Sequence, residues 1–231
     1  MKKTGKLLYP TTIIILTTIL TINLSSCKNS VVEKTQTVDS TITVTTLEND
    51  TVMCSCPEHL ILNLQPLDGF SLKELHQLES DLKKHLMPIY PVTLQIWETD
   101  KKVQESCLYK PRNRYRADLL LRFLHVEGAD FVTMGVINKD ISTSIHGAKD
   151  YGIMGLSTCP GYTSVISSYR LKNKRNLWKL AIHEFLHTRG LPHCENSGCF
   201  MKDSHGKNAI ETSSHLCKAC KRILKELHAY N

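Results

Sequence analysis

His183-Glu184-Phe185-Leu186-His187-Thr188-Arg189-Gly190-Leu191-Pro192-His193 is the stretch that says most about the fold of this 231-residue chain. It lies at the end of residues 176–189, whose apolar spacing predicts a helix. His183 and His187 are four residues apart, so their imidazoles share one helix face and can reach one metal ion. Gly190 suits the left-handed conformation that ends a helix, which lets His193 return as a third nitrogen ligand. Three protein ligands leave a fourth position for water, which is typical of a catalytic zinc site.

Glu184 directly follows the first of these histidines. Its carboxylate is then within reach of a water molecule on the metal and can take a proton from it, so the pattern predicts a general base for peptide-bond hydrolysis. A catalytically weak or inactive zinc-binding scaffold on the same fold is the alternative. Glu184 argues against that alternative, because a site that only holds a metal has no need of a carboxylate there.

Four cysteines follow the histidines and indicate a second metal site: Cys194, Cys199, Cys217 and Cys220. The Cys-x-x-Cys spacing of the last two suits a chelate, and four thiolates form a closed, tetrahedral and therefore structural zinc site. Two disulfide bonds are the alternative, since an exported protein meets an oxidising environment. We favour zinc, which gives an expected total of two zinc ions per chain. Pairing of Cys107 with Cys159 stays open.

Strand and helix patterns alternate along the rest of the chain and predict an α/β fold with a mostly parallel sheet. Ser71 with Glu74 three residues later forms a capping box at the start of the first helix, whose leucine stripe runs from Leu72 to Leu86. The predicted strands cover residues 61–67, 92–98, 131–137, 153–157 and 164–169, and the predicted helices cover 72–86, 112–126, 176–189 and 213–229.

The N-terminal region predicts export. Three lysines precede an apolar, threonine-rich stretch that ends in Leu24-Ser25-Ser26-Cys27, which resembles a bacterial lipobox. The resemblance implies a lipoprotein signal peptide over residues 1–26, lipidation of Cys27 and a membrane-anchored location in the bacterial cell envelope. An ordinary cleaved signal and an uncleaved anchor are the alternatives. Residues 27–59 then form a Ser/Thr-rich tether, and residues 60–231 form the catalytic domain.

The formal net charge of +7 at pH 7 includes Lys2, Lys3 and Lys6, which lie in the segment expected to be removed. The remaining positive charge is too small and too scattered to favour binding of nucleic acid. A zinc-ribbon module around residues 217–222 that binds nucleic acid or protein is a further alternative. The predicted export signal argues against it.

The spacing His-Glu-x-x-His-x-x-Gly-x-x-His is that of the metzincin zinc peptidases. Residues 183–220 resemble the archaemetzincins (archaelysins) in particular, since a cysteine follows the third histidine and Cys-x-Met (199–201) and Cys-x-x-Cys come after it. Residues 109–118, 140–141, 151–156 and 167–171 are also similar to that family.

The resemblance implies a metzincin-like fold. It consists of a twisted, mostly parallel five-stranded sheet, an active-site helix and a small zinc-pinned C-terminal helical part. It also implies that the three histidines bind the catalytic zinc, that Glu184 is the base, that the four cysteines bind the structural zinc and that Met201 lies beneath the catalytic site. We expect a monomer that acts on peptide or protein substrates. The export signal departs from the family, whose members resemble soluble intracellular proteins.

Overall fold

The computed structural model describes residues 60–145, 147–203 and 209–229. These residues belong to one compact unit of the chain, Cys56–Asn231. The predicted signal peptide (1–26), Cys27 and the tether (27–59) lie outside the described residues.

Nine strands and four α-helices make up the described part of the chain. The strands are β1 (Leu60–Pro66), β2 (Val92–Ile96), β3 (Leu108–Tyr109), β4 (Arg114–Arg116), β5 (Val132–Ile137), β6 (Ile141–Ile145), β7 (Ala148–Ile153), β8 (Gly155–Ser157) and β9 (Thr163–Ser167). The helices are α1 (Leu72–His85), α2 (Ala117–Leu124), α3 (Leu177–Thr188) and α4 (Lys218–Ala229).

The central sheet has five strands in the order β2-β1-β5-β9-β8. The first four are parallel, and β8 pairs antiparallel with β9 at the edge. The prediction of a mostly parallel five-stranded sheet is therefore confirmed. Buried side chains alternate between its two faces, as the two-residue period of a strand requires: Ile166 packs in the cluster that contains α1 and α3, and Val165 packs in the cluster that contains α2.

Ser71 caps the start of helix α1, which is the N-cap half of the predicted capping box. Ser71 accepts a hydrogen bond from the backbone N–H of Glu74 at 3.4 Å. Leu75, Leu78 and Leu82 are buried against the sheet, which confirms the buried stripe. Leu72, at the start of that stripe, is instead 41% exposed, because the first helical turn extends beyond the core.

A second, four-stranded sheet in the order β3-β4-β6-β7 was not predicted. The predicted helix over 112–126 was wrong at its start, because residues 114–116 form β4 and α2 begins only at Ala117. Tyr115 pairs with Ile141 of β6, and the Arg114 guanidinium makes ion pairs with Asp140 and Asp150 at 2.7 and 3.1 Å. These contacts hold the segment extended.

Two further boundaries differ from the predictions. The strand predicted over 153–157 is divided between the end of β7 and β8, which belong to different sheets. The C-terminal helix begins at Lys218 and not at 213, because the preceding residues bond to another loop: Ser214 N–H donates to the Gly198 carbonyl at 2.8 Å. Within the described segments, no helix is both long and apolar enough to cross a membrane.

Candidate metal centres and catalytic cleft

Helix α3 presents His183 and His187 to one point, as their spacing predicts. The Nε2 atoms of the two imidazoles lie 3.1 Å apart. Each ring is fixed from behind, since Nδ1 of His183 lies 2.7 Å from the Phe200 carbonyl oxygen and Nδ1 of His187 lies 2.8 Å from the Leu191 carbonyl oxygen. A carbonyl only accepts hydrogen bonds, so both Nδ1 atoms carry the proton and both Nε2 atoms present lone pairs.

Two lone pairs that face each other at 3.1 Å repel unless a cation lies between them. Protonation does not supply that cation easily: burial first, and then the neighbouring imidazoles, lower the pKa of His183 to about 3 and that of His187 to about 4. A zinc ion at about 2.0–2.1 Å from each nitrogen accounts for the separation, because a tetrahedral site then spaces its ligand atoms by about 3.3 Å. The donor set therefore fits zinc.

His193 completes the group. Gly190 adopts φ +83, the left-handed conformation that its position after the helix predicts, and turns the chain back. Ligand atoms of all three histidines lie within 4.8 Å of one another. Nδ1 of His193 lies 3.7 Å from Oδ2 of Asp203, which is too far for the kind of hydrogen bond that fixes the other two rings.

Glu184 lies beside the histidines and is only 5% exposed. Burial raises the pKa of its carboxyl group to about 7, against the opposing effect of a hydrogen bond from Ser157. The Ser157 hydroxyl lies 2.6 Å from Oε2 of Glu184 and 2.9 Å from the Glu184 carbonyl oxygen. Gly155, two residues earlier on β8, lies so close that an added Cβ would be 2.4 Å from Oε1. Strand β8 thus bonds one carboxylate oxygen through Ser157 and leaves room for the other at Gly155.

The four predicted cysteines also converge. All four sulfur atoms lie within 4.8 Å of one another, with Cys194 4.0 Å from Cys217 and Cys199 3.8 Å from Cys220. A disulfide bond requires about 2.05 Å, whereas a tetrahedral zinc site with Zn–S bonds of about 2.3 Å spaces its sulfur atoms by about 3.8 Å. All four cysteines are free thiols, as are Cys107 and Cys159. The alternative of two disulfide bonds therefore does not fit the geometry.

N–H donors contact the sulfur atoms of Cys194, Cys199 and Cys217, and they favour the thiolate form of Cys217. Burial raises the pKa of the Cys217 thiol, but the backbone N–H of Cys220 and the side-chain amide of Asn196, 3.2 Å from the sulfur, outweigh it and lower the pKa to about 6. Cys199 also accepts from the backbone N–H of Cys217 at 3.4 Å, but burial keeps the pKa of its thiol, and that of the Cys220 thiol, above the usual value. Zinc takes the deprotonated form of a thiol, so a bound zinc ion would displace the protons of these two cysteines.

Comparison with known proteins agrees with this geometry. The family model "Peptidase family M54" matches residues 114–226, which include both clusters. The archaemetzincin of Haloquadratum walsbyi is 25% identical over 164 residues, which cover 64% of this chain and 92% of that protein. The archaemetzincin of Nanoarchaeum equitans is 32% identical over 120 residues, which cover 52% and 66%. The chain is an archaemetzincin-like zinc metallopeptidase.

Solved structures support the fold. The crystal structure of archaemetzincin from Methanopyrus kandleri superimposes with a TM-score of 0.62 at 24% identity and covers 77% of this chain and 99% of that one. A zinc-dependent peptidase from Methanocorpusculum labreanum gives a TM-score of 0.50 at 18% identity and covers 71% and 99%. The metzincin-like fold of this peptidase is therefore established.

Met201 lies in the segment that joins the two clusters. It is fully buried, and its carbonyl oxygen accepts from the backbone N–H of Cys194 at 2.8 Å. The preceding residue, Phe200, holds the His183 ring through its carbonyl oxygen. The Phe200–Met201 turn is therefore hydrogen-bonded to one residue of each cluster, Cys194 and His183.

The histidines and Glu184 open onto a cleft of about 1130 Å³. Residues of strands β7 and β8 line this cleft, as do His193 and Asp203. Sequence reasoning found the histidines, the cysteines and Glu184 but missed Ser157, Gly155, Asp203 and Arg170. The last of these also lines the cleft.

Proposed function

We propose that this peptidase hydrolyses peptide bonds with a zinc ion held by His183, His187 and His193 and with Glu184 as the general base. The observation that carries the proposal is that the Nε2 atoms of His183 and His187 face each other at 3.1 Å beside a buried carboxylate in one cleft. When bound, zinc acidifies a water molecule and polarises the carbonyl group of the scissile bond.

The chain's own residues supply the proton transfers. Glu184 accepts a proton from the attacking water and delivers it to the amine that leaves. A carboxyl group whose pKa is raised to about 7 is suited to both steps near neutral pH. The Ser157 hydroxyl orients this carboxylate through its hydrogen bond, and the missing side chain at Gly155 leaves space for it.

We further propose a second, structural zinc ion bound by Cys194, Cys199, Cys217 and Cys220, which gives two zinc ions per chain. The sulfur–sulfur distances and the N–H donors around the thiols support this assignment. Met201 is proposed as the methionine beneath the catalytic site, since it is buried in the turn that contacts both clusters.

The function is tested by incubating the full-length protein with a broad peptide library and identifying products by mass spectrometry. We expect cleavage that a zinc chelator abolishes and that added zinc restores. Cleavage that persists after complete removal of zinc would contradict the proposal.

The proposed domain arrangement is a lipoprotein signal peptide (1–26), an acylated Cys27 with a tether (27–59) and a catalytic domain (60–231). It predicts a monomer anchored to a membrane of the bacterial cell envelope. The support is the sequence Leu24-Ser25-Ser26-Cys27 after an apolar stretch. The intact mass of the protein should show that Cys27 is acylated, and the protein should sediment with the membrane fraction. Cys27→Ser should move the protein to the soluble fraction. An unmodified Cys27 would contradict the anchor. Light scattering tests the monomer.

A further inference from the structure

Arg170 brings a guanidinium group to the lining of the cleft. It follows β9 and lines the cleft, and its side chain is 33% exposed. Its Nε and Nη2 atoms donate to the two carboxylate oxygens of Asp140 at 2.7 and 2.9 Å. The third nitrogen, Nη1, has no protein partner among residues 60–145, 147–203 and 209–229. One edge of the guanidinium is therefore fixed and its remaining donors are available.

Gly152 of β7 makes room for this group. An added Cβ at that position would lie 2.1 Å from Nη2 and 2.4 Å from Cζ of Arg170. Any side chain there would displace the guanidinium, so the glycine allows Arg170 to lie across the strand.

The ion-pair network that includes Arg170 carries a net positive charge. Arg112, Arg114 and Arg170 share two carboxylates, those of Asp140 and Asp150, which leaves one excess positive charge. Arg170 is also the one Arg or Lys among the described residues that line the cleft. A planar guanidinium with free donors pairs best with a carboxylate.

The position of Arg170 relative to Glu184 limits where a carboxylate that binds to Arg170 can lie in a substrate. Gly152 contacts Arg170 and Gly155 contacts Glu184. The two glycines are three residues apart, so their Cα atoms are separated by at most about 11 Å. An extended peptide alongside this wall covers that distance in about three residues.

We propose that Arg170 forms a substrate-binding subsite for a carboxylate of the peptide, either an acidic side chain within about three residues of the scissile bond or a free C-terminus. This subsite rests on the proposed function, because it names a substrate preference of the same cleft.

The test measures binding and not turnover, so that it is independent of catalysis. The full-length, zinc-loaded Glu184→Gln protein is titrated with fluorescent octapeptides in which one Glu is moved along the sequence. Each peptide is paired with a Gln twin, and both are made with a free and an amidated C-terminus. Cleavage of the same peptides by the wild-type protein is assayed separately, so that failure of the proposed function is recognised on its own.

We expect one carboxylate to strengthen binding about tenfold over its neutral twin, a typical effect of a charge-assisted hydrogen bond at a partly exposed site. When Arg170→Gln is added to the Glu184→Gln protein, each peptide and its neutral twin should bind about equally. Arg170→Lys should retain part of the difference. Arg114→Gln is the matched control, because Arg114 pairs with the same Asp140 but does not line the cleft. Loss of the advantage on amidation would assign the subsite to the C-terminus. Equal binding of all twins, or a preference that survives Arg170→Gln, would overturn the proposal.

Discussion

The Ser157 hydroxyl lies 2.6 Å from Oε2 of Glu184 and joins the edge strand β8 to the active-site helix α3. Ser157 is thus a positioning residue that acts through the proposed base. The same hydrogen bond lowers the pKa of Glu184, whereas burial raises it.

Ser157→Ala should therefore reduce kcat about tenfold with little change in KM, because the carboxylate loses its fixed orientation. Without the hydrogen bond the pKa of Glu184 rises, and a base must be deprotonated to act. The acid limb of the pH–kcat profile should accordingly move to higher pH. Ser164→Ala is the matched control, since Ser164 pairs with Ser157 across the strands and its buried hydroxyl has no hydrogen-bond partner within the described part of the chain. An unchanged profile in Ser157→Ala would contradict the positioning role.

Gly155→Ala should lower kcat by about a hundredfold while the protein stays folded. The added methyl would lie 2.4 Å from Oε1 of Glu184 and must push the carboxylate out of place, and a displacement of about 1 Å is enough for such a loss. Circular dichroism and zinc content serve as controls for folding. A variant with wild-type kcat would show that the carboxylate does not need its present position.

Cys217→Ser should reduce the zinc content from two ions to one and lower the Tm by on the order of 10 °C, because a structural metal contributes directly to folding. Activity should fall as well, since Met201 and Phe200 connect the cysteine cluster to His183. Cys159→Ser is the control, because Cys159 is an exposed free thiol outside the cluster. Two zinc ions in Cys217→Ser would exclude the proposed ligand set.

Tyr115 is expected to make the fold less stable as the pH rises into the alkaline range. Burial first, and then the short hydrogen bond to Asp68, raise the pKa of its hydroxyl from 10.0 to about 12. Between these values the unfolded chain releases the proton more readily than the folded chain, so stability falls as pH rises from 10 to 12. Tyr115→Phe should lose part of this decline in Tm between pH 9 and 12. Parallel Tm curves for both proteins would contradict the assignment.

The metal clusters could be predicted because their signal is local. His183 and His187 are one helical turn apart, and Cys217 and Cys220 are three residues apart. The contact between Ser157 and Glu184 joins residues 27 positions apart, and it depends on β8 lying against α3. The sequence around either residue therefore gives no sign that the two side chains meet. Gly155 carries no side chain, so the sequence gives no sign that it contacts a carboxylate.

The second sheet was missed for a related reason. Strand β6 reads Ile-Ser-Thr-Ser-Ile and β7 reads Ala-Lys-Asp-Tyr-Gly-Ile, which are too polar to show a clear strand period. They are held by each other and by the ion pairs of Arg114 and Arg170 with Asp140, which only the folded chain brings together. The parallel strands β1 and β5 are buried on both faces and therefore left a stronger apolar signal.

The most direct test of the proposed chemistry compares the wild-type protein with Glu184→Gln for zinc content and for peptide turnover in the same preparation. Glutamine has nearly the same size but cannot accept the proton, so we predict two zinc ions per chain in both proteins and a loss of turnover of at least a thousandfold in the variant, in line with the loss of an essential proton acceptor. Turnover by Glu184→Gln close to that of the wild type would contradict the assignment of Glu184 as the base.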